Sequence, residues 1–432
     1  MHVTMPFGRQ SITIDVPDAD LTAILRPRQP LPLGDPQATL THALVEPIAC
    51  PSLESLARNK SDAVIAVCDV TRPVPNRTLL PPILDALARA GMTPDAITIL
   101  VATGLHRPCT DDELTEMLGE RIVATYRVVN HRASVTQQQV HLGQTPSGLD
   151  VFINRVYAQA SLKITTGYIE PHLMAGFSGG RKVCGIGLAG EQTIRALHSP
   201  SIIEHPNSIE GYLEGNVLHA ELTHIGALAG IDFIVNVTLD QARRITGVFA
   251  GHFQRAFEAG CCFARQTLGC PLEAPADIVI TSCGGYPQDI SYYQSAKGFT
   301  AGMHVCKPGG TIILLSQCQN GLGKPAYENL CRDVHSVEHF EEHFVRHRAR
   351  VQTHARRIDQ WQVHNVIRAL RKCHLHLVDG GLSQHQRSLL LHPAGDSFDE
   401  ALDLAFERHG PTASLVVIPD GPNVLAHLSP AH

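Results

Sequence analysis

The residues best suited to chemistry fall in short segments that follow runs of β-branched residues. "VCDVTRPVPN" places Asp69, Val70, Thr71 and Arg72 directly after one such run, with Pro73 and Pro75 stiffening the exit. Carboxylate, hydroxyl and guanidinium can together grip a phosphorylated sugar, and an Asp near an Arg can equally form a surface ion pair. "VATGLHRP" repeats the arrangement, with Gly104 permitting a turn and His106 following it. Imidazole takes up and returns a proton near neutral pH, which makes His106 a candidate general base.

The densest segment is "GYIEPHLMAGFSGGRKVCGIG", where Pro171 fixes the chain before His172 and six glycines from Gly167 to Gly187 keep the backbone thin around Lys182. A lysine there has three readings: phosphate ligand, surface cation, or an amine made nucleophilic by desolvation. Two common phosphate loops do not fit. G-x-x-x-x-G-K-S/T fails because Arg181 separates Gly180 from Lys182 and Val183 stands at the hydroxyl position. Gly185, Gly187 and Gly190 match G-x-G-x-x-G, but the glycine-rich "AGFSGGRKVC" before them is no strand. Downstream, "EQTIRALHSP" reads as a short helix ending near His198, either a metal ligand or a residue facing the helix dipole.

In the second half, "CGGYPQDISYYQSAKG" sets Tyr293, Gln294 and Lys297 on one helix. Gln294 and Lys297 share a face, so an amide and a cation can hold a small carboxylate or simply form an exposed polar surface. His335, His339, His343 and His347 recur every fourth residue, but H-E-x-x-H is missing because Phe344 follows His343. A polar helix face is the expectation for this stripe.

These side chains need a scaffold, and its rhythm is βαβ: strands over 63–69, 96–104, 151–157, 162–167 and 232–239 alternate with helical stretches. Thr110 with Glu113 makes a capping box for a helix starting near 111, where Asp111 and Asp112 favour the dipole. After the Pro/Ala-rich "CPLEAPAD" the rhythm restarts with "IVITSCGG", a helix over 290–304 and "GGTIILLS". The expected class is α/β, with two domains of largely parallel sheet flanked by helices and the active site in the cleft between them. The expected division is 1–272 and 273–408, with 409–432 returning to the first domain.

The formal charge of −6 over 432 residues and the absence of Lys/Arg runs interleaved with aromatics argue against nucleic acid. The basic run over 346–357 reads as a solvated helix face. The N-terminus lacks a charged segment followed by an apolar one, and nowhere do about 18 apolar residues run together, so a cytoplasmic, non-membrane protein is expected. The 12 cysteines form no C-x-x-C and read as reduced core thiols.

Taken in order, "DVTRP", "TGLHRP", "EPHLMAGFSGGRK", "ALHSP" and "GGYPQDISYYQSAKG" resemble the lactate racemase family that uses a nickel-pincer nucleotide, over roughly residues 1 to 425. The resemblance implies a cofactor, nickel pyridinium-3,5-bisthiocarboxylic acid mononucleotide, that binds nickel through sulfur, carbon and sulfur and is joined to a lysine as a thioamide. By that resemblance Lys182 is the attachment point, with the glycines admitting the planar group, and His198 is the nickel ligand. Asp69, Val70, Thr71 and Arg72 match the nucleotide-contacting segment, and His106 and His172 match two proton-transferring histidines. Gln294 and Lys297 match residues for the substrate carboxylate, with Arg72 and Tyr293 also against substrate.

The implied reaction is racemisation of a small 2-hydroxy acid of the lactate or malate type by reversible hydride transfer; a second carboxylate would need another cation, which Arg195 or Arg107 could supply. Epimerisation of a larger hydroxy acid or sugar acid is the near alternative, and a non-catalytic binding protein for a nucleotide or small acid is the distant one. Implied partners are the 2-hydroxy acid and the proteins that synthesise the cofactor. A homodimer is compatible with the sequence and not required by it.

Overall fold

The computed structural model describes residues 1–18, 20–28, 30–346 and 359–428, arranged in two compact units. One contains residues 29–198 and 206–266, and is built on a six-stranded sheet. Its strand order is Ile245–Gly251, Phe233–Leu239, Leu162–Tyr168, Ala63–Cys68, Ile97–Ala102, Arg127–Asn130. All neighbours are parallel except the first pair. Parallel strands covered on both faces read as continuous apolar runs, and "AVIAVC" and "ITILVA" are buried along almost their whole length.

The order matters for function. From Ala63–Cys68 the chain adds strands first on one side, at 97–102 and 127–130, and then on the other, at 162–168 and 233–239. The direction of winding therefore reverses beside Ala63–Cys68, and the loops at the carboxyl ends of such strands splay apart to leave a crevice. Asp69–Arg72, His106 and Glu170–His172 all lie just past the carboxyl ends of these central strands.

The other unit contains residues 1–28, 199–205 and 267–432. Its six-stranded sheet is parallel throughout, in the order Ala394–Gly395, His374–Asp379, Cys306–Ser316, Ala276–Ser282, Leu415–Ile418, Leu21–Ile24. Two expectations about the chain's division change here. Leu415–Ile418 does not return to the first half: it is buried on both faces and pairs with Ala276–Ser282 on one side and Leu21–Ile24 on the other. The N-terminal 28 residues likewise belong with the second half, because Leu21–Ile24 supplies the edge that Leu415–Ile418 needs to satisfy its backbone.

The capping box at Thr110 is present, with Glu113 N donating to Thr110 Oγ1 at 3.3 Å and Thr110 N donating to Glu113 at 2.8 Å. The helix expected over 290–304 is two pieces, Tyr292–Ser295 and Lys297–Met303. All 12 cysteines are free thiols, most of them buried. Along the histidine stripe, the rings of His335 and His339 lie 5.0 Å apart and those of His339 and His343 lie 4.5 Å apart, with His335 and His343 exposed. His347 and nearly all of the basic run lie outside the described residues. Among the described residues, no helix is long and apolar enough to cross a membrane.

Candidate active site

Asp69 is 4% exposed at the end of Ala63–Cys68, yet it stays ionised. Burial works to raise its pKa, but the hydrogen bond and charge of His106, the Thr71 hydroxyl and Arg72 outweigh it and hold the carboxyl below its usual range. One carboxylate oxygen accepts from Thr71 N at 3.2 Å and Thr71 Oγ1 at 2.5 Å. The other meets His106 Nδ1 at 2.7 Å. An ionised oxygen only accepts, so Nδ1 of His106 carries its proton and Nε2 keeps its lone pair. Gly104, at φ +55°, makes the turn that brings His106 round to Asp69.

His172 is held the opposite way. It sits in a tight hairpin in which Pro171–His172 pairs with Gly176–Phe177. Its Nδ1 accepts backbone N–H bonds from Met174 at 3.2 Å and Ala175 at 3.1 Å. A backbone amide cannot reverse its role, so Nδ1 must offer a lone pair and the ring proton sits on Nε2. Thus His106 is set to take a proton through Nε2, and His172 to give a hydrogen bond through it.

Lys182 ends the turn Gly179–Lys182, closed by Lys182 N donating to Gly179 O at 3.1 Å. Its ammonium is close enough to act on both the Cys68 thiol and the His198 ring. Asp69, Arg72 and Glu170 act on Cys68 as well, so these charges gather at the end of one strand. Burial pushes that thiol up to about 12, partly offset by the cations of Arg72 and Lys182. Arg72 also faces Glu170 at 3.8 Å, and Val70, between Asp69 and Thr71, is 41% exposed.

The glycines around Lys182 serve a different purpose from the one first assigned to them. Gly179 and Gly180 have φ of +88° and +50°, and a Cβ on Gly180 would come within 3.0 Å of Phe257. A Cβ on Gly167 would meet Asn236 Oδ1 at 2.6 Å, and one on Gly187 would meet Ala102 Cβ at 2.7 Å. Protein, rather than open space, fills these positions: the glycines let the loop turn and pack against the sheet.

His198 caps the helix Glu191–Leu197 and donates Nδ1–H to Ile194 O at 2.8 Å. That bond fixes the tautomer and leaves Nε2 with a lone pair, just as a backbone carbonyl on one ring nitrogen orients the other toward a metal. Burial, with the Lys182 charge, holds its pKa at about 4, so the ring is neutral at physiological pH. Among the described residues no three His, Cys, Asp or Glu side chains form a metal cluster. A neutral imidazole within electrostatic range of a lysine would suit a metal whose remaining donors come from a group carried on that lysine.

In the other unit, Lys297 Nζ donates to Gln294 Oε1 at 2.7 Å, so the amide and cation first grouped on one face are bonded to each other. The Tyr293 hydroxyl donates to Asp359 at 2.9 Å, and its ring packs edge-on against Tyr327. Both extra guanidinium groups are engaged: Arg107 with Glu113 at 2.7 and 2.5 Å, and Arg195 with Glu191 at 2.8 and 2.6 Å.

Sequence reasoning missed Glu170, Cys68 and the role of Asp69 as the partner of His106. The only signal for the last was that each follows a strand; that the two strands are neighbours is a property of the sheet.

Family models described as "Lactate racemase N-terminal domain" and "Lactate racemase C-terminal domain" match residues 7–211 and 272–426. The chain belongs to the lactate racemase family. A lactate racemase of Lactiplantibacillus plantarum is 36% identical over 98% of this chain and 99% of its own length. One from Thermoanaerobacterium thermosaccharolyticum is 34% identical with the same coverage. The solved lactate racemase apoprotein from the latter organism superposes with a TM-score of 0.92, at 33% identity over 99% of this chain and all of its own. A crystal structure of a protein from Thermotoga maritima shares the fold alone, with a TM-score of 0.67 at 16% identity over 92% of this chain. The chain thus matches these lactate racemases over nearly all of their length and shares the α/β fold of the solved apoprotein.

Proposed function

We propose that this protein is a cytoplasmic racemase of a small 2-hydroxy acid, lactate foremost, that works with a nickel-pincer nucleotide attached at Lys182. The observation that carries this reading is the gathering of Asp69–His106, Arg72, Lys182 and His198 in one unit of a lactate racemase family member. When bound, the nucleotide supplies an acceptor for hydride, which makes the poorly acidic C2 position of a hydroxy acid reactive.

The protein's own groups do the rest. His198 supplies the nickel-binding nitrogen, and Asp69–Arg72 contact the nucleotide. His106 takes the substrate hydroxyl proton at Nε2 and returns it, and Asp69 steadies the imidazolium that forms. His172 meets the substrate oxygen on its other side, and Gln294 and Lys297 hold the carboxylate while the keto acid turns. The engagement of Arg107 and Arg195 with carboxylates of the chain favours a monocarboxylate over malate.

The test is to express the protein together with the cofactor-synthesis enzymes, then measure intact mass, nickel content and racemisation of a hydroxy-acid panel by chiral chromatography. An adduct on Lys182, about one nickel per chain and interconversion of the lactate enantiomers are expected. Turnover confined to larger hydroxy acids or sugar acids would shift the reading to an epimerase. Tight ligand binding without exchange at C2 would make it a binding protein.

A further inference from the structure

Arg181, beside Lys182, is 1% exposed and heads the largest fully buried side chains. Its guanidinium lies 3.8 Å from the centre of the Phe257 ring. Nε and Nη2 both donate to His219 Nδ1, at 3.1 and 2.7 Å. Nη2 also donates to Ala175 O at 3.3 Å, and Nη1 to Phe177 O at 3.5 Å. All these partners are uncharged, and among the described residues no ion pair with a carboxylate offsets the burial of this cation, Glu258 acting on it only through space. Such an expense points to a role beyond packing.

Ala175 accepts from Arg181 through its carbonyl and donates to His172 Nδ1 through its amide. Phe177, in the strand that closes the His172 hairpin, is held by the same guanidinium. The rigid fork of Arg181 thus fixes the hairpin that dictates which nitrogen of His172 bears the proton. Lysine, a point charge on a flexible stem, cannot reproduce such a fork.

We propose that Arg181 is a positioning residue for His172: through Ala175 and Phe177 it holds the ring with its proton on Nε2, while its own backbone carries Lys182. This rests on the racemase reading of His172 and Lys182, and the decisive measurement is made on the protein without cofactor. Long-range proton–nitrogen NMR of histidine-labelled protein reports the tautomer of each ring. The wild-type protein should show His172 protonated on Nε2 and His106 on Nδ1. Arg181→Lys should fold with a near-native thermal midpoint and show His172 as a mixture of tautomers. In the loaded enzyme it should retain the Lys182 adduct, lose about tenfold or more in kcat and change KM little.

Unchanged His172 signals and kcat in a folded Arg181→Lys would overturn the proposal, as would a wild-type His172 protonated on Nδ1. If Arg181→Met fails to fold, Arg181→Lys still decides; if neither folds, Arg181 serves the fold alone and the proposal falls. A wild-type protein with the expected tautomers but no racemisation would leave the positioning role standing and refute the racemase reading.

Discussion

At the scale of single residues, the two histidines are built to opposite specifications. Asp69 presents an ionised oxygen to His106, whereas backbone amides of Met174 and Ala175 present protons to His172. Asp69→Asn would replace an acceptor with a group free to donate, letting His106 settle in the wrong tautomer. We expect kcat to fall by roughly a hundredfold or more while the Lys182 adduct and nickel content hold; chiral assay with intact mass separates the two. Unchanged turnover would sink the assignment of His106 as base. His106 stood out in the sequence because it follows a strand, whereas His172, Lys182 and His198 took their expected roles from motifs that resemble those of the family. The hydrogen-bond partners of the two histidines were not legible there, since Asp69 and His106 meet only when their strands lie side by side.

At the scale of elements, two contacts can be tested by stability. The helix Asp111–Leu118 begins with a reciprocal cap, and Thr110→Ala should cost about 1 kcal/mol in thermal or chemical unfolding. The short helix Pro200–Ile203 is stapled within its unit by the next residue. Glu204 bonds to His364, which is 1% exposed on its side chain, and accepts from Arg371 Nη1 at 2.8 Å through both oxygens. Glu204→Gln removes the carboxylate from a buried imidazole, and a loss of about 1–3 kcal/mol is expected in denaturant titration. The capping box was visible as Thr and Glu three apart, a purely local pattern. The staple spans 160 residues and left no mark on the sequence.

At the scale of the whole molecule, buried neutral histidines set the response to acid. Burial, as the largest cause, lowers His131 and His392 to about 4 and His219 to about 3. The unfolded chain binds these protons near pH 6.5, before the folded chain does. The stability that these neutral rings contribute is therefore complete above about pH 6.5 and is lost as pH falls toward 4 and below. Glu204, held at about 2 chiefly by its bond to His364, adds to the loss from about pH 4.5 downward. The thermal midpoint should fall steadily between pH 7 and pH 4 by differential scanning fluorimetry; a flat profile would contradict these assignments.

What the sequence determined by itself was local or periodic: β-branched runs that must be buried strands, a helix cap, and reactive residues placed just after strands. The motifs carrying the family resemblance were also plain, because each is contiguous. Tertiary structure alone decided strand order, which joined Asp69 to His106, moved residues 1–28 to the second unit and inserted Leu415–Ile418 between Ala276–Ser282 and Leu21–Ile24. It also gave the glycines near Lys182 their purpose, since whether a missing Cβ leaves room for a ligand or for Phe257 depends on what packs there. The physical reason is the same in each case. A strand's pattern states that both its faces must be covered, and says nothing about which strand or side chain will cover them.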